Sequence, residues 1–344
     1  MSLHIGVVGA GRTGSRLARI LSTYDDVQVT AVAEPNRPSR DSFSKTFSTK
    51  LAVSDHKRLA SDSLVDVVYV CSPPTTHNTV AVDCLKAGKD VICMPPMAIT
   101  VSQADEMISA AEQYGRRLLI ALPQRYNPIN QETARLIDAG KIGYPFMALA
   151  SFIENEYNRL NDWHDWLGTW DVGGGGILME RGSEMIDLLH FFFGQVDGVS
   201  AVCTRFAIEA LNKAEDTCLV DLEFVEELSA QLALTGAAQY SADSDQYPGS
   251  IFRMQVFGVE GSISLAGNED ALVLSTKKNK HQVIPLSEIR TGLPSDMNRD
   301  LIDAIIEDRE PLVTTEQARE ALVVVVAAYK SSQMKRRVET LEQL

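Results

Sequence analysis

Apolar and polar positions follow two different regimes along the chain. Over the first third, short apolar runs at residues 5–8, 27–33, 67–71, 90–93 and 118–122 alternate with stretches of helical spacing at residues 14–22, about 39–46, 76–87 and 102–114. Runs that are apolar throughout belong to strands covered on both faces, and strands alternating with helices build a parallel sheet. Thr100 precedes the last of these helices and is predicted to cap it. Ligands of such sheets bind beyond the carboxyl ends of the strands. The loops at residues 34–37, 72–77 and 94–97 should therefore converge on one crevice.

From Pro123 the pattern changes. A helix at residues 129–139 ends at Gly140 and a strand follows at 146–152. A polar, tryptophan-rich loop then runs to Asp171, and the glycines Gly173 to Gly176 lead into a helix at about 178–193. Strand-like runs follow at 199–206, 217–225, 228–236, 251–257, 261–266, 272–275 and 282–285, and helices close the chain at about 296–307 and 315–335. Consecutive strands joined by short turns predict an antiparallel sheet. The basic run Lys277-Lys278-Asn279-Lys280 reads as a solvated hairpin tip.

One stretch carries chemistry directly. The first strand runs into Gly9-Ala10-Gly11-Arg12-Thr13-Gly14, which opens the first helix, and Glu34 stands 20 positions after Gly14 at the end of the second strand. In this strand–turn–helix context the first glycine permits a tight turn and the second lets backbone approach a pyrophosphate. The third permits close packing of helix on strand, and an acidic residue meets the ribose. The helix start offers free N–H groups and positive dipole to phosphates. A carboxylate at Glu34 repels a 2′-phosphate, so NAD is expected over NADP, with Arg37 close enough to offset that preference. Arg12 and Thr13 lie inside the turn, and Arg12 either flanks the pyrophosphate or is merely solvated. The fold class is thus α/β. An N-terminal Rossmann doubly wound parallel sheet at residues 1–123 precedes a C-terminal α/β domain with a mainly antiparallel sheet at 124–344. Two domains also suit a chain of 344 residues, since single cores rarely grow past roughly 250–300.

Composition narrows the class further. A net charge of −14 argues against nucleic acid or an anionic membrane as partner. No segment is long and apolar enough to span a bilayer. The N-terminus enters the first strand at once, which leaves no room for a signal peptide. The 5 cysteines are scattered without a C-x-x-C pair, as expected of free thiols in a reducing cytoplasm rather than disulfides or a zinc site.

Three signatures together make the chain resemble the glucose–fructose oxidoreductase / inositol dehydrogenase / rhizopine-catabolism family (Gfo/Idh/MocA), nearly end to end. The first is the glycine turn. The second is Val70-Cys71-Ser72-Pro73-Pro74-Thr75-Thr76-His77 followed by Leu85-Lys86-Ala87-Gly88-Lys89-Asp90-Val91. The third is Gly174-Gly175-Gly176-Ile177-Leu178-Met179-Glu180-Arg181-Gly182-Ser183-Glu184-Met185-Ile186-Asp187. The resemblance implies a Rossmann domain followed by an α/β domain whose open sheet mediates homodimers or homotetramers. It implies hydride transfer between NAD(P) and a sugar, cyclitol or related small molecule. It also implies that Ser72 and Pro73 floor the nicotinamide ribose, that His77 orders this loop or touches cofactor, and that Met94 borders the cofactor.

The chain departs from the family where proton transfer is concerned. The usual Glu-Lys-Pro is Met94-Pro95-Pro96, and the usual Asp and His of the third signature are Glu180 and Glu184. Glu180, Glu184 and Asp187 share a face at helical spacing. Two neighbouring carboxylates, partly buried, raise a pKa, so one of the pair can hold a proton near neutrality. A catalytic or substrate-binding role, a structural role and metal binding remain open for these acids. The expected division makes Glu184 the acid/base and Glu180 its tuner, with no metal. Tyr126, Tyr157, Trp163, His164 and Asp187 are weaker candidates for substrate contact; the tryptophans equally suit pinning a long loop. The functional expectation is an NAD-preferring oxidoreductase of a small sugar- or polyol-like substrate with a non-standard acid/base. Two rivals stand beside it: a dinucleotide-binding protein without chemistry, as sensor or partner subunit, and an enzyme using bound NAD for lyase or hydrolase chemistry.

Overall fold

A computed structural model of the protein describes residues 2–162, 165–206, 213–239, 250–266, 271–278 and 280–343. Trp163, His164 and Asn279, singled out above, lie outside the described residues.

The chain forms two compact units. One is Met1–Leu122 with Asp296–Arg319; the other is Pro123–Ser295 with Glu320–Leu344.

In the first unit the elements run β1 (Leu3–Val8), α1 (Arg12–Leu21), β2 (Val27–Ala33), α2 (Arg37–Phe47), β3 (Leu51–Val53), α3 (His56–Ala60), β4 (Val67–Val70), α4 (His77–Lys86), β5 (Asp90–Cys93), α5 (Val101–Tyr114) and β6 (Leu118–Ile120). The strands pair in parallel in the order β3-β2-β1-β4-β5-β6. The order reverses between β1 and β4, which is where such sheets open a crevice for ligands. Every residue of β4 is buried, as continuous apolar runs require of a doubly covered sheet. Side chains close the orphan donors at helix starts: Asn36 accepts from the Ser39 N–H, Asp55 from Lys57, and Thr100 from Gln103. The short elements β3 and α3 escape a periodicity reading, because three to five residues carry too few turns of a pattern to register.

The second unit begins with α6 (Pro128–Asp138), β7 (Pro145–Glu154), α7 (Tyr157–Asn161) and α8 (Trp170–Gly173). A π-helical turn (Leu178–Gly182), α9 (Ser183–Phe193), and strands β8 (Val196–Thr204), β9 (Thr217–Phe224) and β10 (Ser229–Thr235) follow. Strands β11 (Ser250–Gly258), β12 (Gly261–Ala266), β13 (Ala271–Thr276) and β14 (Gln282–Pro285) complete its middle part. After them come α10 (Met297–Ile306), α11 (Thr315–Met334) and β15 (Val338–Glu339). The nine-stranded sheet has the order β14-β13-β12-β11-β7-β10-β9-β8-β15. All neighbours are antiparallel except β7 and β10, which pair in parallel. The pair is parallel because β7 enters the sheet first and the meander β8–β9–β10 returns beside it from the far edge.

The sheet has one covered and one open face. In β9 the buried Cys218, Val220, Leu222 and Phe224 alternate with exposed Leu219, Asp221 and Glu223. Phe193 of α9 meets Phe224 edge-on at 5.5 Å, so α9 lies on the covered face. Register places Val283, Val273, Ser264, Gln255, Leu149, Gln231 and Asp221 in one row across the open face. That row is apolar at one end and polar at the other, where Gln231 donates to Asp221 at 2.9 Å.

One segment lies where the sequence reading did not put it. Residues 296–319 group with the first unit rather than the second. Leu301, Ile302 and Ala304 of α10 join the core of Ile5, Val7 and Tyr69. Arg299 pairs with Asp26 at 2.8 Å, and the Tyr24 hydroxyl donates to Asp296 at 2.7 Å.

Candidate functional site

The glycine turn has the geometry its spacing predicts. Gly9 has φ +101°, and a Cβ there would come within 2.6 Å of the Cys71 carbonyl oxygen, so only glycine fits. A Cβ on Gly14 would overlap the Gly9 carbonyl oxygen, which is the close helix–strand packing of the motif. A Cβ on Gly11, by contrast, meets nothing within 4 Å. Its hydrogen faces open space at the cap of α1, where no side chain blocks the first N–H groups. That space suits a pyrophosphate.

Glu34 is fixed at the edge of this cradle. One carboxylate oxygen accepts the Ala10 N–H at 2.9 Å and the other the Asn36 N–H at 2.8 Å. Its backbone carbonyl receives Arg40 at 2.6 Å, and Arg40 also reaches the Pro35 carbonyl at 3.3 Å. The sequence reading names Arg37 here, but Arg37 is exposed and faces Asp41 at 3.5 Å, one helical turn on. Arg40 thus stands beside Glu34 through its backbone carbonyl. Reading along the chain missed it because only the curl of the β2–α2 loop brings it back. Arg12 is exposed and Thr13 half-buried at the start of α1.

His77 is 1% exposed and ties two loops together. Its Nδ1 lies 2.8 Å from the Pro96 carbonyl and its Nε2 2.7 Å from the Ser72 carbonyl. Burial lowers its pKa against the opposing pull of those two oxygens. The loop after β4 and the loop after β5 are therefore held at a fixed spacing. Ser72, Pro73, Met94 and Pro95 in these loops remain half-buried, and the Ser72 hydroxyl receives Thr76 at 2.7 Å.

In the second unit, a cluster of acids surrounds one guanidinium. Glu180 and Arg181 sit in the π-helical turn and Glu184 in the first turn of α9. Single π turns inside helices recur at functional sites. Arg181 reaches across the Phe152 ring at 6.0 Å to Glu154, at the end of β7. Its Nε donates to Glu154 at 2.9 Å, its Nη1 to Glu184 at 3.2 Å, and its Nη2 lies 3.8 Å from Glu180. Burial pushes Glu180 up to about 7, opposed by Arg181 and Arg159 and assisted by Glu154 and Glu156. Burial also raises Glu184, against the pull of Arg181 and a hydrogen bond from Gln124. Tyr157 stands half-buried at the start of α7, next to Glu156.

Asp187, expected as a weaker candidate for substrate contact, is enclosed rather than exposed. It is fully buried and clasped by Arg125, Nε to Oδ2 at 3.0 Å and Nη2 to Oδ1 at 2.6 Å. The Arg125 guanidinium in turn lies 5.2 Å from the Phe191 ring. Burial raises Asp187 to about 6 despite that partner. Tyr126, at 3% exposure, likewise offers a substrate almost no surface.

The glycine run has a reason that the sequence conceals. Glu215 is buried against it, accepting the Gly176 and Leu178 N–H groups at 3.1 Å and the Tyr329 hydroxyl at 2.6 Å. A Cβ on Gly176 would overlap the Glu215 carbonyl oxygen. Tyr329 also packs on Trp170 at 5.2 Å, so that tryptophan pins its loop.

Comparison with known proteins settles the lineage. Residues 3–122 match the oxidoreductase family with NAD-binding Rossmann fold, and residues 134–340 match the same family's C-terminal α/β domain. The chain belongs to the Gfo/Idh/MocA oxidoreductase family. Its first unit is an NAD-binding Rossmann domain. The chain is 24% identical to the myo-inositol 2-dehydrogenase of Thermotoga maritima, over 99% of each chain. It is 28% identical to the trans-1,2-dihydrobenzene-1,2-diol dehydrogenase of Mus musculus, over 59% of this chain and 60% of that one. Among solved structures, levoglucosan dehydrogenase in complex with NADH superposes with TM-score 0.86 at 18% identity, over 99% of both chains. GenD2 from gentamicin A biosynthesis in complex with NAD superposes with TM-score 0.82 at 22% identity, over 98% of this chain and 96% of that one.

Proposed function

We propose that this protein is an NAD-preferring oxidoreductase that moves a hydride between nicotinamide and a hydroxyl or carbonyl carbon of a small sugar- or polyol-like substrate. The observation that carries the reading is the dinucleotide cradle: three glycines of which one faces open space, with Glu34 pinned at its edge. Relatives named for inositol and diol dehydrogenation support the substrate class. Bound at the cradle, NAD supplies the hydride acceptor.

The chain itself must handle the proton. An alcohol that loses a hydride must also lose its hydroxyl proton, and the lysine that serves most of the family is Pro95 here. The Glu180–Glu184 pair takes that part in this reading, since a carboxyl poised near neutrality is suited to accept and return a proton. The free thiols, among which Cys71 and Cys84 are pushed by burial up to about 12, fit a reducing cytoplasm. Pro95 also favours a second reading, a dinucleotide-binding protein without hydride transfer. A thermal-shift screen of polyols, sugars and sugar acids in the presence of NADH tests the first. A polyol or sugar that raises Tm only with NADH present supports it; no response from any class favours the second.

A further inference from the structure

The two glutamates are not equivalent, and the inequality comes from Arg181, which stands between them in the third signature. Arg181 spends its directed hydrogen bonds on Glu154 and Glu184, at 2.9 and 3.2 Å, and only approaches Glu180, at 3.8 Å. Glu184 is further held by Gln124 and has a side chain 9% exposed, whereas that of Glu180 is 24% exposed. Building on the functional reading above, we propose that Arg181 is a positioning residue that divides the labour of the pair: its guanidinium holds Glu184 as a fixed carboxylate and leaves Glu180 to exchange the substrate's proton. The expected division of the roles is thereby reversed.

The chemistry balances. In alcohol oxidation the substrate's C–H bond breaks with its electron pair going to NAD, its O–H bond breaks with the proton going to a Glu180 oxygen, and the C=O bond forms. Glu180 then gives the proton to water through its exposed edge. In the reverse direction it donates the same proton to the new alkoxide.

The electrostatic setting of Glu180 comes from every element around it. Glu154 on β7 and Glu156 before α7 bring negative charge. Arg181 in the π turn and Arg159 on α7 bring positive charge. Arg159 is occupied by Asp165 at 2.8 Å and Glu156 at 3.3 Å. Arg181 is thus the nearest cation to both members of the pair.

The test is a carboxyl titration of the full-length protein, labelled with ¹³C at glutamate Cδ, with signals assigned by Glu180→Gln and Glu184→Gln. The proposal expects Glu180 to titrate near neutrality and Glu184 below it. Arg181→Met should raise Glu184 by about 1–3 units, the amount typical of a lost opposite charge, and Arg181→Lys should restore part of the shift. Glu184 titrating above Glu180 overturns the proposal, as does an Arg181→Met protein whose glutamates titrate unchanged. Should Arg181→Met fail to fold, the order of the two signals in the parent chain decides alone. The titration needs no substrate, so a protein that binds NADH and turns over nothing would refute the functional reading without altering this result.

Discussion

At the scale of single residues, Glu34 decides more than any other side chain of the first unit. Its carboxylate is set by two backbone N–H groups beside the glycine turn. A 2′-phosphate there meets a fixed negative charge. Calorimetry should find NAD(H) bound more tightly than NADP(H), and Glu34→Ala should narrow the gap. Tighter NADP(H) binding by the unchanged protein would contradict the assignment. Glu34 was legible because its signal is local: a motif and an acid at a set distance. Asp187 was not. Its helical spacing from Glu184 suggested a shared working face, but its partner, Arg125, is 62 residues away in sequence and meets it only in the fold. Breaking such a buried pair from one side costs about 3–5 kcal/mol, so its worth lies in stability. Arg181 was legible only in part: Glu180 and Glu184 stand beside it in sequence, but Glu154, 27 residues earlier on β7, meets it only in the fold.

At the scale of elements, the β1–α1 turn separates two duties that the motif merges. Gly14 packs against backbone, whereas Gly11 packs against nothing. Gly14→Ala should therefore lower Tm. Gly11→Ala should leave Tm within a degree or two, since a helix cap loses only about 0.5–1 kcal/mol when Gly becomes Ala, yet weaken NADH binding. Circular-dichroism melting with calorimetry checks both, and equal effects of the two substitutions on Tm would contradict the division. The long strands and helices were readable from periodicity. The π turn was not, because a single wider turn leaves the apolar pattern of residues 178–193 almost intact.

At the scale of the whole molecule, the sheet of the second unit leaves one face to be explained. Val202, Leu219 and Val283 are 59%, 49% and 55% exposed there, among Gln231, Gln255 and Arg253. An uncovered sheet face with apolar side chains at both ends suits contact with a second copy, and a two-fold contact is the commonest arrangement. We propose a homodimer or homotetramer through this face. Light scattering at micromolar concentration should report more than one chain, and Leu219→Arg should shift it towards monomer. A stable monomer of the unchanged protein would refute this. The short turns between consecutive strands made the mainly antiparallel sheet readable from sequence. The allegiance of residues 296–319 was not readable, because an amphipathic helix declares that one face is buried, not what buries it.

The central claim is that this chain performs hydride transfer with carboxylates as its acid/base. The measurement that bears on it most directly is NADH formation from NAD and a panel of polyols and sugars, run side by side on the unchanged protein, on Glu180→Gln, and on a Pro95→Lys/Glu184→His double variant. The account predicts turnover by the unchanged protein on at least one polyol or sugar. It predicts a loss of about 10²–10⁴ in kcat for Glu180→Gln with NAD(H) affinity kept, the usual cost of losing general acid–base help. An unchanged protein that binds NADH but reduces no NAD on any of them, while the double variant gains activity on a common polyol, would contradict it.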